Sequence, residues 1–171
     1  MSAQRYSLPI IFLHWLIALM VVVIMTLPAL SEETVAQLGG PGVVFTLHKS
    51  LGFSLLILMV LRLILRLLTP SPAAAGDTQA QRALAKAGHV LLYVLLIGMP
   101  VSGLIFGSRP LNFFWLFEIA PLGFDTAVRD AAKAFHKTVP LLLTLMIVGH
   151  IGMALYHHYV RKDGLLNRMK P

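Results

Sequence analysis

Four apolar stretches, each close to the length that crosses a lipid bilayer, dominate this sequence of 171 residues. They run over about 10–30, 43–68, 90–106 and 139–160. A helix needs about 20 mostly apolar residues to cross the hydrocarbon core. In lipid, a helix satisfies its own backbone hydrogen bonds within a single segment. The sequence therefore predicts an all-α fold, an integral membrane four-helix bundle.

The scarcity of charge also indicates that the solvent is a bilayer. Only 12% of the residues are charged and 57% are hydrophobic, whereas soluble domains carry about 25% charged residues. The connections 31–42 and 69–81 are rich in Gly, Pro or polar residues and are predicted to be loops. A longer connection covers 107–135. We expect residues 1–171 to form one membrane domain without a separate soluble domain.

Basic residues are distributed unequally between the two sides of the predicted bundle. The side with both termini carries nine Lys or Arg and two acids, and the other side carries five of each. The acids are Asp77 and Asp163 on the first side, and Glu32, Glu33, Glu118, Asp125 and Asp130 on the second. The positive-inside rule predicts that both termini are cytoplasmic. No basic run with interleaved aromatics is present, so nucleic acid is not an expected partner.

The sequence contains no cysteine but seven histidines. This excludes disulfides, Cys-ligated zinc, iron–sulfur clusters and covalent haem attachment through C-x-x-C-H. Any haem must therefore be held by histidine or methionine alone.

Two histidines of the fourth span, His136 and His150, are fourteen residues apart. With about 100° and 1.5 Å per residue, they lie within about 40° of one helix face and about 21 Å apart along the axis. An ionisable residue inside a span is costly and is a functional candidate by default. The spacing predicts two metal centres stacked across the bilayer.

Depth in the membrane selects a partner for each of these histidines. His14 and His150 both lie towards the cytoplasmic side, whereas His48 and His136 both lie towards the periplasmic side. Two histidines without a third protein ligand suit haem iron, because zinc usually takes three or four protein ligands. We expect two non-covalently held haems b.

Two further cationic or imidazole side chains lie near the predicted cytoplasmic centre. Arg62, fourteen residues after His48, either meets a haem propionate or snorkels to the interface and anchors the topology. His89, at the mouth of the third span, is a rival ligand for the cytoplasmic haem.

Other features also have two interpretations each. His158, at the exit of the fourth span with His157, either belongs to a solvated helix end or transfers protons to a quinone. The aromatic segment 112–117 is either an interfacial anchor or a roof over the periplasmic haem. Three glycines give either clearance for a flat macrocycle or close helix packing. They are Gly52, Gly98 and Gly103.

The order of these motifs resembles the bacterial cytochrome b561 family, small four-helix inner-membrane cytochromes with two haems b. The resemblance covers nearly the whole chain and implies that His14, His48, His136 and His150 are the haem ligands. It also implies a multi-pass protein of the bacterial inner membrane. It is carried by RYS at 5–7, IFLHWL at 11–16, LHKS at 47–50 with Gly52, LRLILRL at 61–67, GH at 88–89, PVSGL at 100–104, FHK at 135–137, GH at 149–150 and HHY at 157–159.

A well-understood member of the family oxidises superoxide at its periplasmic face and passes the electron to ubiquinone. A lysine three residues before the outer haem histidine belongs to that activity, and Lys133 stands in this place before His136. Lys49, Lys137 and Arg129 would add positive charge that steers a small anion. The third connection departs from the family pattern, which leaves the identity of the donor open.

Three hypotheses follow. The first is a di-haem superoxide:quinone oxidoreductase, whose partners are lipid, ubiquinone and superoxide. The second is an electron-carrying cytochrome b subunit that serves a hydrogenase or dehydrogenase partner. The third is a haem-free membrane transporter in which histidines relay protons.

Overall fold

The computed structural model describes residues 5–70, 72, 76 and 78–170, so Asp77 lies outside the described residues. Its long helices are α1 (Leu8–Thr26), α3 (Pro41–Leu68), α4 (Gln79–Phe106) and α5 (Thr126–Tyr156), with a short α2 (Glu32–Gln37) after α1. Short helical turns at Leu27–Ala29, His157–Arg161 and Leu165–Met169 follow α1 and α5. Strands β1 (Leu111–Phe113) and β2 (Phe117–Ile119) form one antiparallel hairpin.

The predicted fold class, a membrane-spanning helical bundle, is confirmed. The four long helices are apolar enough, and long enough, to cross a bilayer. The small hairpin between α4 and α5 is the one sheet in the described part of the chain, and the sequence patterns did not predict it.

Helices α4 and α5 begin well before the apolar stretches that predicted them. Thr78 and Gln81 form a capping box at the start of α4, and Asp125 caps α5 by accepting a hydrogen bond from the Val128 N–H. Hydropathy marks the part of a helix that lies in lipid, whereas caps mark where the helix begins. The first turns of α4 and α5 are therefore polar helix. The predicted loop 69–81 and the predicted connection 107–135 both extended too far, because the helices already begin at Gln79 and Thr126.

Each long helix packs on its neighbour in the order α1, α3, α4 and α5. The buried core lies mainly between α1 and α3, where Leu13, Ile17 and Val21 meet Leu55 and Met59. Helix α5 packs against α4 but makes no comparably extensive contact with α1 or α3 among the described residues. The inner face of α5 is consequently held away from α1 and α3.

Helices α4 and α5 approach closely at two glycines. A Cβ atom at Gly98 would lie 3.2 Å from Phe135 Cζ, and one at Gly103 would lie 3.3 Å from His136 Cε1. For these two glycines the structure supports close helix packing, one of the two sequence-based interpretations.

The two termini lie together at one end of the bundle, which we call the termini end. The Tyr6 N–H donates a hydrogen bond to the Arg168 carbonyl at 3.2 Å, and Trp15 Nε1 donates to the Met169 carbonyl at 2.9 Å. The turn Leu165–Met169 therefore forms a strap along the start of α1.

The β1–β2 hairpin lies at the opposite end, the hairpin end. Fully buried Ser50 holds it to α3, because its hydroxyl donates to the Asn112 carbonyl and accepts from the Phe114 N–H. Phe114 and Trp115 at the tip have φ angles of 47° and 61°, in the left-handed region that bulky residues rarely adopt.

Candidate cofactor sites between the helices

Two histidine pairs bridge the separated helices, one pair at each end of the bundle. His14 of α1 faces His150 of α5 at the termini end, with ring centroids 6.1 Å apart. His48 of α3 faces His136 of α5 at the hairpin end, with ring centroids 6.3 Å apart. The structure thus brings together the pairs that depth matching predicts. We call them the termini-end site and the hairpin-end site.

The spacing within each pair suits one metal ion held between two imidazoles. Rings that share a metal through bonds of about 2 Å have centroids about 6 Å apart. The rings of each pair are also steeply inclined to one another, at 70° and 80°. No group of three or more His, Asp or Glu side chains within the described ranges could hold an ion. The donor set therefore fits an iron with two axial histidines better than zinc.

Hydrogen bonds fix which nitrogen each hairpin-end histidine presents. His48 Nδ1 lies 3.2 Å from the Ile24 carbonyl, and His136 Nδ1 lies 3.0 Å from the Met99 carbonyl. A carbonyl can only accept, so Nδ1 carries the proton in both rings and donates it. The lone pair of Nε2 is then left for a metal, the arrangement typical of metal-binding histidines.

Open space beside the histidines suits a flat macrocycle. A Cβ atom at Gly52, one turn after His48, would meet no atom within 4 Å. The same holds for Gly149, which precedes His150. Gly52 thus differs from the packed Gly98 and Gly103, and it matches the clearance interpretation. The facing histidines, the separation of α5 from α1 and α3, and this clearance are features expected where helices hold a flat macrocycle such as haem.

His89, predicted at the mouth of the third span, lies well inside the longer helix α4. Because α4 begins at Gln79, His89 lies about three turns inside the helix. Its ring centroid is 5.6 Å from that of His150, and its Nδ1 lies 2.6 Å from the Ala85 carbonyl. His89 is thus adjacent to the termini-end site, although it is exposed.

Arg62, the predicted propionate partner, is anchored beside the termini-end site. Its Nη1 donates to the Ile10 carbonyl at 2.6 Å, one turn before His14. Its side chain also interacts with Tyr93 of α4. Arg62 therefore links three helices at the depth of His14.

The carboxyl end of α5 is held by side-chain contacts that a fully solvated helix end would lack. His157 is only 7% exposed, and its Nδ1 lies 2.5 Å from Asp163 Oδ2. Burial favours a higher pKa for the Asp163 carboxyl, but hydrogen bonds from His157 and the Leu165 N–H keep its pKa below the usual value. His158 is half-buried, and its ring meets Tyr159 edge-on at 4.7 Å.

The basic residues predicted near the periplasmic centre lie at the hairpin end. Lys133, one turn before His136, is exposed, and so is Lys137, whereas Lys49 is half-buried. Arg129 Nε is buried and has no hydrogen-bond partner in the described part of the chain. The ion pairs in the described part of the chain both involve Asp163 and so include neither Arg129 nor any of these three lysines.

Sequence reasoning missed three polar residues that hold the sites or the bundle ends. The Ser102 hydroxyl hydrogen-bonds the His136 ring, the Ser50 hydroxyl hydrogen-bonds the hairpin backbone, and the Asp163 carboxylate hydrogen-bonds the His157 ring. Ser50 and Ser102 lie inside two of the segments that carry the family resemblance, LHKS and PVSGL. Their hydrogen bonds to the hairpin and to His136 could not be predicted from these segments, because the partners lie on other elements.

The chain is similar to cytochromes of one family. The family model described as prokaryotic cytochrome b561 matches residues 5–171. The chain is 31% identical to cytochrome b561 homolog 2 of Escherichia coli (strain K12), over 98% of this chain and 92% of that protein. It is 30% identical to the probable superoxide oxidase CybB of Yersinia pestis, over 98% of this chain and 97% of that protein. Cytochrome b561 homolog 1 of Escherichia coli (strain K12) is 27% identical, over 98% of each chain.

Proposed function

Because the chain belongs to the prokaryotic cytochrome b561 family, a haem b family of membrane electron-transfer proteins, we propose that it holds two haems b and oxidises superoxide at one membrane face while reducing ubiquinone at the other. The observation that carries this proposal is the pair of facing histidine couples, 6.1 Å and 6.3 Å between ring centroids. Membership in a haem-binding family removes the hypothesis of a haem-free transporter.

In this proposal the haem ligands are His48 and His136 at the hairpin end, and His14 and His150 at the termini end. When bound, a haem supplies a reversible one-electron centre. With both histidines of a pair holding the iron, the haem would transfer electrons and would not bind a substrate. His136 and His150 separate the two sites by about 21 Å along α5. One site therefore lies towards each membrane face.

The hairpin end has the electrostatics that a small anionic donor requires. Lys49 lies on α3, and Arg129 and Lys133 lie on α5, the two helices that supply the hairpin-end histidines. No acid pairs with these cations among the described residues. Unpaired positive charge raises the local concentration of an anion and its association rate. The likeness to a probable superoxide oxidase supports superoxide as that anion, with Lys133 next to the electron-accepting centre.

We place the quinone and both termini at the cytoplasmic side. The sequence has nine basic residues on the termini side against five on the other, which is the positive-inside pattern. His158, half-buried at the exit of α5, is the candidate that hydrogen-bonds the quinone and supplies a proton. The adjacent His157–Asp163 pair fixes the helix end that presents it.

A second candidate function is that of an electron-carrying subunit, which serves a hydrogenase or dehydrogenase. The hairpin tip offers a contact surface for such a partner, because Trp115, Leu116 and Phe117 are 55%, 76% and 52% exposed. Exposed aromatic and aliphatic side chains of this kind suit either the membrane interface or a protein partner.

Stopped-flow spectroscopy of the purified protein separates the two functions. After rapid mixing, superoxide should reduce the haem. Ubiquinone that is then added should reoxidise the haem without any partner protein. Haem that superoxide does not reduce, but that a partner enzyme reduces, would favour the subunit function.

A further inference from the structure

Arg66, in the last turn of α3, is a cation at the termini end that forms no ion pair within the described part of the chain. Its guanidinium Cζ lies 4.7 Å from the centroid of the Tyr6 ring, so the ring covers one side of it. Its Nη1 atom is buried and makes no hydrogen bond with any described residue. A buried charged donor without an acceptor is costly, so an acceptor from outside the chain would stabilise this arrangement.

No carboxylate of the described ranges supplies that acceptor. The ion pairs there both involve Asp163, with His157 and Arg161. The neighbouring Arg62 does not neutralise Arg66 either, because it is itself a cation and donates to the Ile10 carbonyl. The termini end thus has an excess of positive charge where the bundle meets the membrane surface.

The platform that carries Arg66 is held in place by the carboxyl-terminal strap. The Arg168 carbonyl accepts from the Tyr6 N–H, and the Met169 carbonyl accepts from Trp15 Nε1. These bonds place an aromatic ring under the guanidinium and an indole about two turns further along α1. Tryptophan with a bonded N–H is typical of the membrane interface.

An apolar groove runs along the same part of α1. It has a volume of about 260 Å³ and is lined by Leu8, Ile11, Phe12 and Trp15. Leu8 and Phe12 are 72% and 66% exposed. A cation at the membrane surface, with an apolar groove next to it, matches the two halves of a phospholipid molecule.

We propose that Arg66 on the Tyr6 ring binds the phosphate of an anionic phospholipid, with an acyl chain along the α1 groove. A guanidinium offers a planar fork of donors that matches phosphate oxygens. Basic pockets beside membrane helices bind anionic headgroups in this way. The groove residue Trp15 also meets the His14 ring edge-on, with centroids 5.3 Å apart, but the proposal does not depend on the proposed superoxide and quinone chemistry.

Native mass spectrometry of the detergent-purified full chain tests the proposal by counting bound lipids. The protein is mixed with phosphatidylglycerol, phosphatidylcholine or inorganic phosphate. Wild type should retain phosphatidylglycerol in preference to phosphatidylcholine. The R66Q variant should lose about fivefold of that preference, the effect of one basic residue near a headgroup. The matched control is K86Q, an exposed lysine of the same end, and it should behave as wild type.

Three other results would overturn the proposal. They are an unchanged lipid preference in R66Q, an equal loss in K86Q, and displacement of the lipid by millimolar inorganic phosphate, which would make free phosphate the ligand. The R66K variant controls for misfolding, because it keeps the positive charge but lacks the planar fork of donors. Its preference for phosphatidylglycerol should lie between those of wild type and R66Q. Haem content is measured in parallel, and loss of haem from R66Q with unchanged lipid preference would assign Arg66 to the cofactor instead.

Discussion

Ser102 Oγ lies 2.9 Å from Nδ1 of His136 and donates its own hydrogen bond to the Met99 carbonyl at 2.7 Å. Because the serine proton is directed at Met99, its oxygen accepts from the Nδ1–H of His136. The histidine proton is therefore shared between two acceptors, the serine oxygen and the Met99 carbonyl. Such outer partners orient a metal-binding imidazole and raise its basicity.

Replacing Ser102 with alanine should raise the midpoint potential of the hairpin-end haem. Loss of one acceptor makes His136 a weaker donor to iron, which disfavours the oxidised state. One hydrogen bond corresponds to a shift of about 20–60 mV, measured by optical redox titration. S54A is the matched control, because the Ser54 hydroxyl donates to the Ser50 carbonyl of its own helix and makes no other hydrogen bond with the described residues. An equal shift in both variants would contradict the role of Ser102.

Filling the space beside His48 should remove the hairpin-end haem. The variant G52L places a side chain where a Cβ meets no protein atom within 4 Å, so the protein alone would tolerate it and the helix would gain propensity. We expect haem content per chain to fall by half, measured by the pyridine haemochrome method. G42L is the control, since Gly42 also has open space but lies in the first turn of α3. Full haem content in G52L would mean that this space faces lipid.

Removing one positive charge from the hairpin end should slow the reaction with superoxide. The exposed Lys133 precedes His136 by one turn, and K133Q should lower the second-order rate by about tenfold at low ionic strength. The difference should shrink as salt is added, because screening weakens the attraction in wild type. The control is K86Q at the opposite end. A rate in K133Q that equals that of wild type at every ionic strength would argue against an anionic donor at this end.

The Asp163–His157 pair should stabilise the carboxyl end of α5 in a pH-dependent way. The pKa of Asp163 is lowered from its usual 3.8 in the folded protein, so the folded state binds that proton more weakly than the unfolded state. The stabilisation is therefore complete above pH 3.8 and is lost as the pH falls through the lower folded value. Thermal unfolding of wild type and D163N should differ at pH 6, and the difference should decrease below pH 3.8. A difference that is constant at all pH values would assign the effect to packing.

The facing histidine pairs could be predicted because helix geometry is regular. In a helix, sequence number alone gives both the face and the depth of His136 and His150. Matching depth on neighbouring spans then required no knowledge of how the helices pack.

Apolar character locates the lipid-embedded part of α4 and α5 but not the residue at which each helix begins. The capping box of Thr78 and Gln81 is visible in the sequence and would have placed the start of α4. It would also have placed His89 deep inside that helix. The start of α5 at Asp125 has a similar local signal.

Other features could not be predicted from local sequence. The bonds made by Ser50 and Ser102 depend on the rotation of one element relative to another. The hairpin tip places Phe114 and Trp115 at positive φ, where tight hairpins usually place Asn and Gly. The two aromatic residues therefore predicted an interfacial segment but no turn.

The haem content of the H150A variant tests the central claim most directly. Pyridine haemochrome analysis should find two haems per wild-type chain and one per H150A chain, because only the termini-end site loses an axial ligand. The H158A variant, whose substitution lies just after the carboxyl end of α5, should retain two haems. Two haems in H150A, or one haem in wild type, would contradict the assignment of one haem to each histidine pair.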